Sequence, residues 1–293
     1  MLKKIIVTLC LIFLIPVLVL GINGCGKEKV SSQTFQAEIE TQTETETQAE
    51  AIVPSVTLNE STNPESSPIL QKPVEVPVLY YHSVMLEEGN EVRMPPDQFE
   101  AQMAYMREQG YESVTLDQLY QAFYKGGALP AKPFVITFDD GYEDNYTTAF
   151  PILKKHGFTA AVFMVSSYIN GEGFLSWSQL KELTANGWEI EGHTANHPYL
   201  SKMDKAAVLN ELKSSKELIE KELGQTVNYI AYPYGDYNAN IVQAVKDTGY
   251  LMAFTTERGW SNLNLDEWHL QRVYCFANMG LKEFSRRLQN PKY

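Results

Sequence analysis

The chain has 293 residues, with 36 acidic side chains against 24 basic ones and a formal charge of −12. That length allows one or two domains. The acidic balance argues against nucleic acid and against electrostatic attraction to an anionic polymer, because recognition of either needs a positive surface.

At the N-terminus, Lys3 and Lys4 precede a nearly continuous apolar run, Ile5 to Leu20, broken by Thr8, Cys10 and Pro16. The run is too short and too interrupted to favour a stable membrane span. Ile22-Asn23-Gly24-Cys25 then has the form of a secretory signal that ends in a small residue before Cys. Residues 1–24 are therefore expected to be a lipoprotein signal peptide, with Cys25 as the lipidated first residue. An uncleaved signal anchor is the alternative. Of the three cysteines, only Cys275 lies outside this region. It sits in the apolar run Val273–Phe276 without a partner and reads as a small buried residue. Residues 25–73 carry polar runs such as Thr41–Gln48 and scattered prolines at 54, 64 and 68. Such a stretch cannot bury enough apolar surface to offset its ordering entropy, so it is predicted to be a disordered tether.

From residue 74 to 293 the pattern changes to that of a folded domain. Val76–Tyr81 is apolar, and Gln98–Gln109 carries Phe99, Met103 and Met106 at helical spacing. A short strand at Val114–Leu116 and a helix at Asp117–Tyr124 follow. Phe134–Phe138 reads as a strand and Tyr146–His156 as a helix ended by Gly157. Ala160–Val165 and Trp188–Glu191 are predicted strands, separated by a helix at Gln179–Asn186. Lys205–Leu223 is a helix stopped by Gly224. Strands at Asn228–Tyr232, Tyr250–Thr255 and Leu270–Phe276, with a helix at Ile241–Asp247, complete the chain. Helices between successive strands imply parallel pairing. The expected fold is α/β, a distorted (β/α) barrel of seven or eight strands.

The unusual polar residues fall at strand ends. Tyr81-His82, Asp139-Asp140, Ser166-Ser167, His193 with His197, Tyr232–Gly235 and Thr255-Thr256 all follow strands, hence one rim of the barrel. One carboxylate and two imidazoles form a common three-ligand set for a catalytic divalent metal with an open position for water. The second, adjacent carboxylate is then free to act as a base. Taken singly, Asp-Asp-Gly is an ordinary turn and His-x-x-x-His an ordinary helical pair; together, in order and on two strand ends, they point to a metal site. His156 at a helix end, where a cation suits the dipole, reads as structural, and His269 beside Trp268 as packing. Trp177, Trp260 and Tyr234 are candidates to stack on sugar faces, with core packing as the default.

Thr137–Gly141, the His193/His197 pair and Tyr232-Pro233-Tyr234-Gly235 resemble the polysaccharide deacetylase family, also called the NodB homology domain or carbohydrate esterase family four. Pro77–Ser83 resembles a branch that includes poly-N-acetylglucosamine deacetylases, and the likeness spans roughly Val76 to Phe284. The resemblance implies roles. Asp140, His193 and His197 hold one divalent metal, most simply zinc, with cobalt, nickel or iron as alternatives. Asp139 is the general base. The backbone at Tyr234, after Pro233, stabilises the oxyanion, and Trp260 lines the groove. His82 is the general acid, since no histidine follows Leu270–Phe276 to take the place of the late-strand histidine used by most of the family.

Two departures stand out: Ala231 replaces the family's usual arginine, and Thr255–Asn262 lacks the usual Asp-Trp pair. The partner that orients Asp139 is left open between Arg258 and Arg272. The implied function is metal-dependent N-deacetylation of an extracellular N-acetylglucosamine polymer, peptidoglycan or poly-N-acetylglucosamine. The enzyme is expected to be lipid-anchored at the outer face of a bacterial cell membrane, next to the cell wall. Its expected partners are that polysaccharide and the membrane, with no nucleic acid. The alternatives are an O-acetyl esterase on xylan-like glycans, or a non-catalytic, metal-containing glycan-binding protein. A metallopeptidase is disfavoured by the lack of a His-Glu-x-x-His helix.

Overall fold

Ten strands and seven α-helices are present in the computed structural model, which describes residues 75–293. The expected signal peptide, Cys25 and the linker lie outside the described residues, as does residue 74. In chain order the strands are β1 (Glu75–Val76), β2 (Val78–Tyr81), β3 (Glu112–Ser113), β4 (Pro133–Asp140), β5 (Ala161–Met164), β6 (Glu189–Gly192), β7 (Tyr229–Ala231), β8 (Met252–Arg258), β9 (Ser261–Asn262) and β10 (Leu270–Tyr274). The helices are α1 (Pro96–Glu108), α2 (Leu116–Tyr120), α3 (Phe150–His156), α4 (Trp177–Ala185), α5 (Lys205–Leu223), α6 (Ala239–Asp247) and α7 (Leu281–Arg287).

Seven of the strands pair in parallel in the order β2-β10-β8-β7-β6-β5-β4. The pairing of β2 with β4, Val78 against Val135 through Tyr81 against Phe138, closes the ring. The expected barrel is therefore present, with seven strands. Of the remainder, β3 adds only to the first two residues of β4, and β1 pairs antiparallel with β9.

Strand alternation divides the core in two. Val78, Val135, Ala161, Phe163, Ala231, Phe254 and Leu270 pack together as one buried cluster that fills the barrel. Leu79, Phe138, Val162, Ile190, Ile230, Ala253 and Val273 pack outward against Met103 and Met106 of α1, Leu180 of α4 and Leu212 of α5. Both methionines are fully buried, as helical spacing predicted. Truncating either to alanine should cost about 2–5 kcal/mol. Cys275 is free and buried, also as expected.

Local chemistry sets the element ends. The strand predicted at Val114–Leu116 forms instead at Glu112–Ser113, because Thr115 caps α2. Its hydroxyl accepts from the Gln118 N–H, and the Gln118 side chain accepts from the Thr115 N–H. Gly157 and Gly224 end α3 and α5 in left-handed conformations. The predicted helix from Tyr146 begins as a π-helical turn, Asn145–Ala149, before α3. Helix α7 has no counterpart among the sequence expectations.

Candidate active site

The candidate metal donors come from two strand ends. Asp140 closes β4, and His193 and His197 follow β6. Asp140 Oδ1 lies 3.5 Å from His193 Nε2 and 3.4 Å from His197 Nε2. The two Nε2 atoms are 3.1 Å apart. Ligand bonds of about 2.0–2.1 Å in a tetrahedral site place donors about 3.3–3.4 Å apart, so this triangle matches one face of such a site. The donor chemistry agrees. His193 Nδ1 donates to the Ala231 carbonyl at 2.7 Å, which leaves a lone pair on Nε2. Asp140 Oδ1 is buried without a hydrogen-bond partner. Burial first, then the charge of Asp139, pushes Asp140 up to about 7. Burial holds His193 neutral, down at about 3, and also lowers His197. Two neutral imidazoles and an orphaned carboxylate oxygen are what a divalent cation requires.

Backbone strain concentrates at the same place. Among the described residues, five non-glycine residues have positive φ, and four of them are Asp140, Thr194, His197 and Tyr234. Such conformations persist where the surroundings over-determine them, commonly at functional sites. The left-handed turn at Asp140 (φ 71°) swings its carboxylate to the barrel mouth, while Asp139 stays on the inward face of β4. Gly141 must be glycine: its φ is +84°, and a Cβ there would meet Met164 Sδ at 2.0 Å.

Asp139 is 1% exposed and is gripped by Arg272 of β10. Nη1 donates to Oδ1 and Nη2 to Oδ2, both at 2.8 Å. Arg272 is itself fixed: Nε donates to the Thr255 carbonyl, Nη1 to Thr137 Oγ1, and the guanidinium lies 3.9 Å from the centre of the Tyr80 ring. Burial alone would raise Asp139, but the Arg272 ion pair outweighs it and holds the carboxylate below its usual range. This settles the question left open between two arginines: Arg258 is exposed at the end of β8. Ala231, where the family usually has arginine, is fully buried in the barrel and supplies the carbonyl that holds His193.

His82 follows β2 and lines the same cleft as Asp139, Asp140, His193, His197 and Tyr234. The Tyr80 hydroxyl shares a hydrogen bond of 3.1 Å with His82 Nε2, while Nδ1 is buried and unpartnered. Burial pushes the imidazole down to about 4, so at neutral pH it rests without a proton.

Aromatic rings wall the cleft. On one side Tyr142 stacks on Phe174 at 5.3 Å and Tyr168 packs on Phe174 at 4.5 Å. On the other, Tyr234 meets His197 at 4.4 Å and is stacked at 4.0 Å by Tyr199. Pro233 is buried behind Tyr234. The structure does not bring Trp260 to the cleft. Its indole N–H donates to the Arg287 carbonyl at 2.8 Å, and its ring packs on the outer core. Trp177 likewise packs against that core. His156 pairs with Glu100 and His269 with Asp266, both outside the site. Sequence reasoning missed Tyr80, Tyr142, Tyr168, Phe174 and Tyr199. Tyr80, Tyr142 and Tyr199 each lie within two residues of a motif residue, and that proximity was the available signal.

A family profile described as "Polysaccharide deacetylase" matches residues 126–253. A Bacillus subtilis protein named "Putative polysaccharide deacetylase YxkH" is 34% identical over 222 residues, covering 76% of this chain and 79% of that protein. A poly-β-1,6-N-acetyl-D-glucosamine N-deacetylase of Staphylococcus aureus is 29% identical over 209 residues, 67% of this chain and 71% of the relative. Among solved structures, the Streptococcus pyogenes deacetylase PplD, in complex with acetate, matches with a TM-score of 0.70 at 28% identity. The match covers 74% of this chain and 99% of that one.

Proposed function

This chain belongs to the polysaccharide deacetylase family of hydrolases, and on that premise we propose that it removes N-acetyl groups from an extracellular N-acetylglucosamine polymer with the help of one divalent metal. The observation that carries the reading is the donor triangle of Asp140, His193 and His197 beside a carboxylate clamped by Arg272. Zinc is the simplest occupant for two imidazoles and one carboxylate. The N-acetylglucosamine polymer is suggested by the Staphylococcus aureus relative, which acts on one.

A divalent cation held by these three residues would supply Lewis-acid polarisation and make water more acidic. Asp139 then needs little basicity. Held below its usual range by Arg272, it is ionised throughout the neutral range and fixed in one orientation to take the water's proton. The backbone N–H of Tyr234 faces the developing oxyanion, a contribution of about 3–4 kcal/mol in comparable sites. His82 delivers a proton to the departing amine. Because its resting imidazole is neutral, the proton it delivers is the one that Asp139 takes from water, passed on to it within the cleft. Tyr199 and Tyr234 are each about half exposed, and their stack offers a flat apolar face for the next sugar of the polymer. Tyr199→Ala should raise KM for N-acetylglucosamine oligomers a few-fold and leave cleavage of a small acetyl ester unchanged.

The test is direct. The zinc-loaded protein is incubated with N-acetylglucosamine oligomers and with wall fragments, and free acetate and free amine are measured. Acetate with an equal amount of amine supports the reading. Acetate without amine, from O-acetylated glycans only, supports an O-acetyl esterase instead; the low pKa of His82 favours that second reading, since an ester needs less help from an acid. No acetate from either would overturn both. We further propose a lipid anchor at Cys25 on the outer face of the cell membrane. Cys25→Ser should release the protein from the membrane fraction or leave its precursor unprocessed, and an unlipidated wild-type chain would refute the anchor.

A further inference from the structure

One short turn after Asp139-Asp140-Gly141, the chain places Asp144 and Asn145 against the strand end that carries His82. We infer that Asp144 and Asn145 are positioning residues that fix the His82 imidazole relative to the metal-and-base half of the site. The inference rests on the proposed deacetylation, in which His82 delivers a proton.

The contacts grip three consecutive residues. Asn145 is fully buried, and its Nδ2 donates to the His82 carbonyl at 2.8 Å. Asp144 Oδ2 accepts from Ser83 Oγ at 2.5 Å, and its Oδ1 accepts from the Val84 N–H at 2.8 Å. Arg93 braces the clasp from outside. Its Nη1 donates to Ser83 Oγ at 3.0 Å and lies 3.6 Å from Asp144, and its guanidinium sits 4.8 Å from the centre of the Tyr142 ring. These bonds span sixty or more residues of sequence. They tie the turn that carries Asp140 to the backbone that carries His82.

Two observations argue that the clasp serves the site and not the fold alone. The first is Asn145 itself. Its Oδ1 is buried with no partner. A buried polar atom left unsatisfied costs about 1–3 kcal/mol, and this position carries that cost. What Asn145 provides in return is the bond to His82. The second is the imidazole, whose only hydrogen-bond partner among the described residues is Tyr80. A ring with one weak tether goes where its backbone goes, and the backbone is set by Asn145 and Asp144. The consequence is large: a misplacement of about 1 Å in a reacting group can cost about 10²-fold in rate.

The experiment compares Asn145→Ala, Asp144→Asn and His82→Ala, together with the doubles Asn145→Ala/His82→Ala and Asp144→Asn/His82→Ala, in the zinc-loaded full chain. The substrates are an N-acetylglucosamine oligomer and an acetyl ester with a good leaving group. Each clasp variant is expected to lower kcat on the oligomer at least tenfold, with KM within about twofold, while sparing the ester and the zinc content. Each double should be no slower than His82→Ala alone, because a positioning residue has nothing left to position. Losses that multiply in the double, or equal losses on oligomer and ester, would overturn the inference and leave a structural clasp. If Asn145→Ala fails to fold, Asp144→Asn decides by the same criteria, since it keeps the shape of the side chain. A His82→Ala chain with full oligomer turnover overturns the acid assignment and the inference with it. A His82→Ala chain that loses turnover beside two unaffected clasp variants overturns the inference alone.

Discussion

Asp139, where β4 ends, and Glu191, facing the residues where β7 begins, are both almost completely buried, at 1% and 3% exposed. Their surroundings push them in opposite directions. Glu191 accepts from the N–H groups of Asn228 and Tyr229, both at 2.8 Å, yet burial, reinforced by the charge of Glu189, holds it well above the usual carboxylate range. Glu189 is similar: it accepts from the N–H groups of Leu116 and Asp117, and burial raises it to about 7. Asp139 feels the same desolvation, but the two-pronged Arg272 guanidinium outweighs it. Backbone dipoles do not compensate a buried negative charge here, whereas a full positive charge in bidentate contact does. Only one of these carboxylates is therefore fit to be an ionised base at neutral pH. The other two read as protonated or partly protonated structural groups.

The comparison breaks most sharply at Asp139. Asp139→Asn should lower turnover by about 10²–10⁴-fold, since it removes a base. It should leave zinc content intact, as metal analysis would show; loss of zinc would mean that the two carboxylates have been assigned in the wrong order. Next comes Arg272→Met, which leaves Asp139 buried without its partner. Removing one member of a buried pair costs about 3–5 kcal/mol, readable as a shift in the denaturant midpoint. The double variant Asp139→Asn/Arg272→Met should recover much of that loss. If Arg272→Met alone is harmless, the ion pair does not hold Asp139 down.

A smaller effect concerns pH and the metal. Asp140 sits at about 7 in the metal-free site, so below that pH a cation must displace a proton. Apparent zinc affinity should be level above about pH 7 and fall by up to tenfold per pH unit below it. His193, down at about 3, adds no competition in that range. Asp139→Asn removes the neighbouring negative charge and should move the break to lower pH. A titration of zinc affinity against pH that stays level to pH 5 would contradict the raised Asp140.

The smallest change is expected at Glu191. Since its folded pKa is raised above 4.5, the folded state binds the extra proton, and stability from this group is lost as pH rises above about 4.5. Glu191→Gln should change stability near pH 5 by less than about 1 kcal/mol, leave turnover unaltered, and flatten the decline of stability towards neutral pH. Chemical denaturation at several pH values checks this. A large loss at every pH would show that Glu191 is ionised in the fold.

Much of this protein was legible in its sequence for local reasons. Strand and helix follow from short-range periodicity, so the alternation from residue 74 onward predicted the barrel, and Lys205–Leu223 was read to the residue because Gly224 marks its end. The candidate metal donors were equally legible, since Asp140 ends a strand, His193 and His197 share one loop, and chain direction puts all strand ends on one rim. The choice of Arg272 over Arg258 lay out of reach. Period-two alternation says which face a side chain takes, but not which strand lies across the barrel; Arg272 meets Asp139, 133 residues away, only because β2 joins both β4 and β10 and closes the ring. Trp260 failed for the same reason, its ring being turned to the outer core by packing that no local pattern encodes. The sequence determined which chemical groups reach the rim. Tertiary structure decided their partners, and with them their charge, because the protonation of a buried group depends on what closure of the barrel brings within a few ångströms of it.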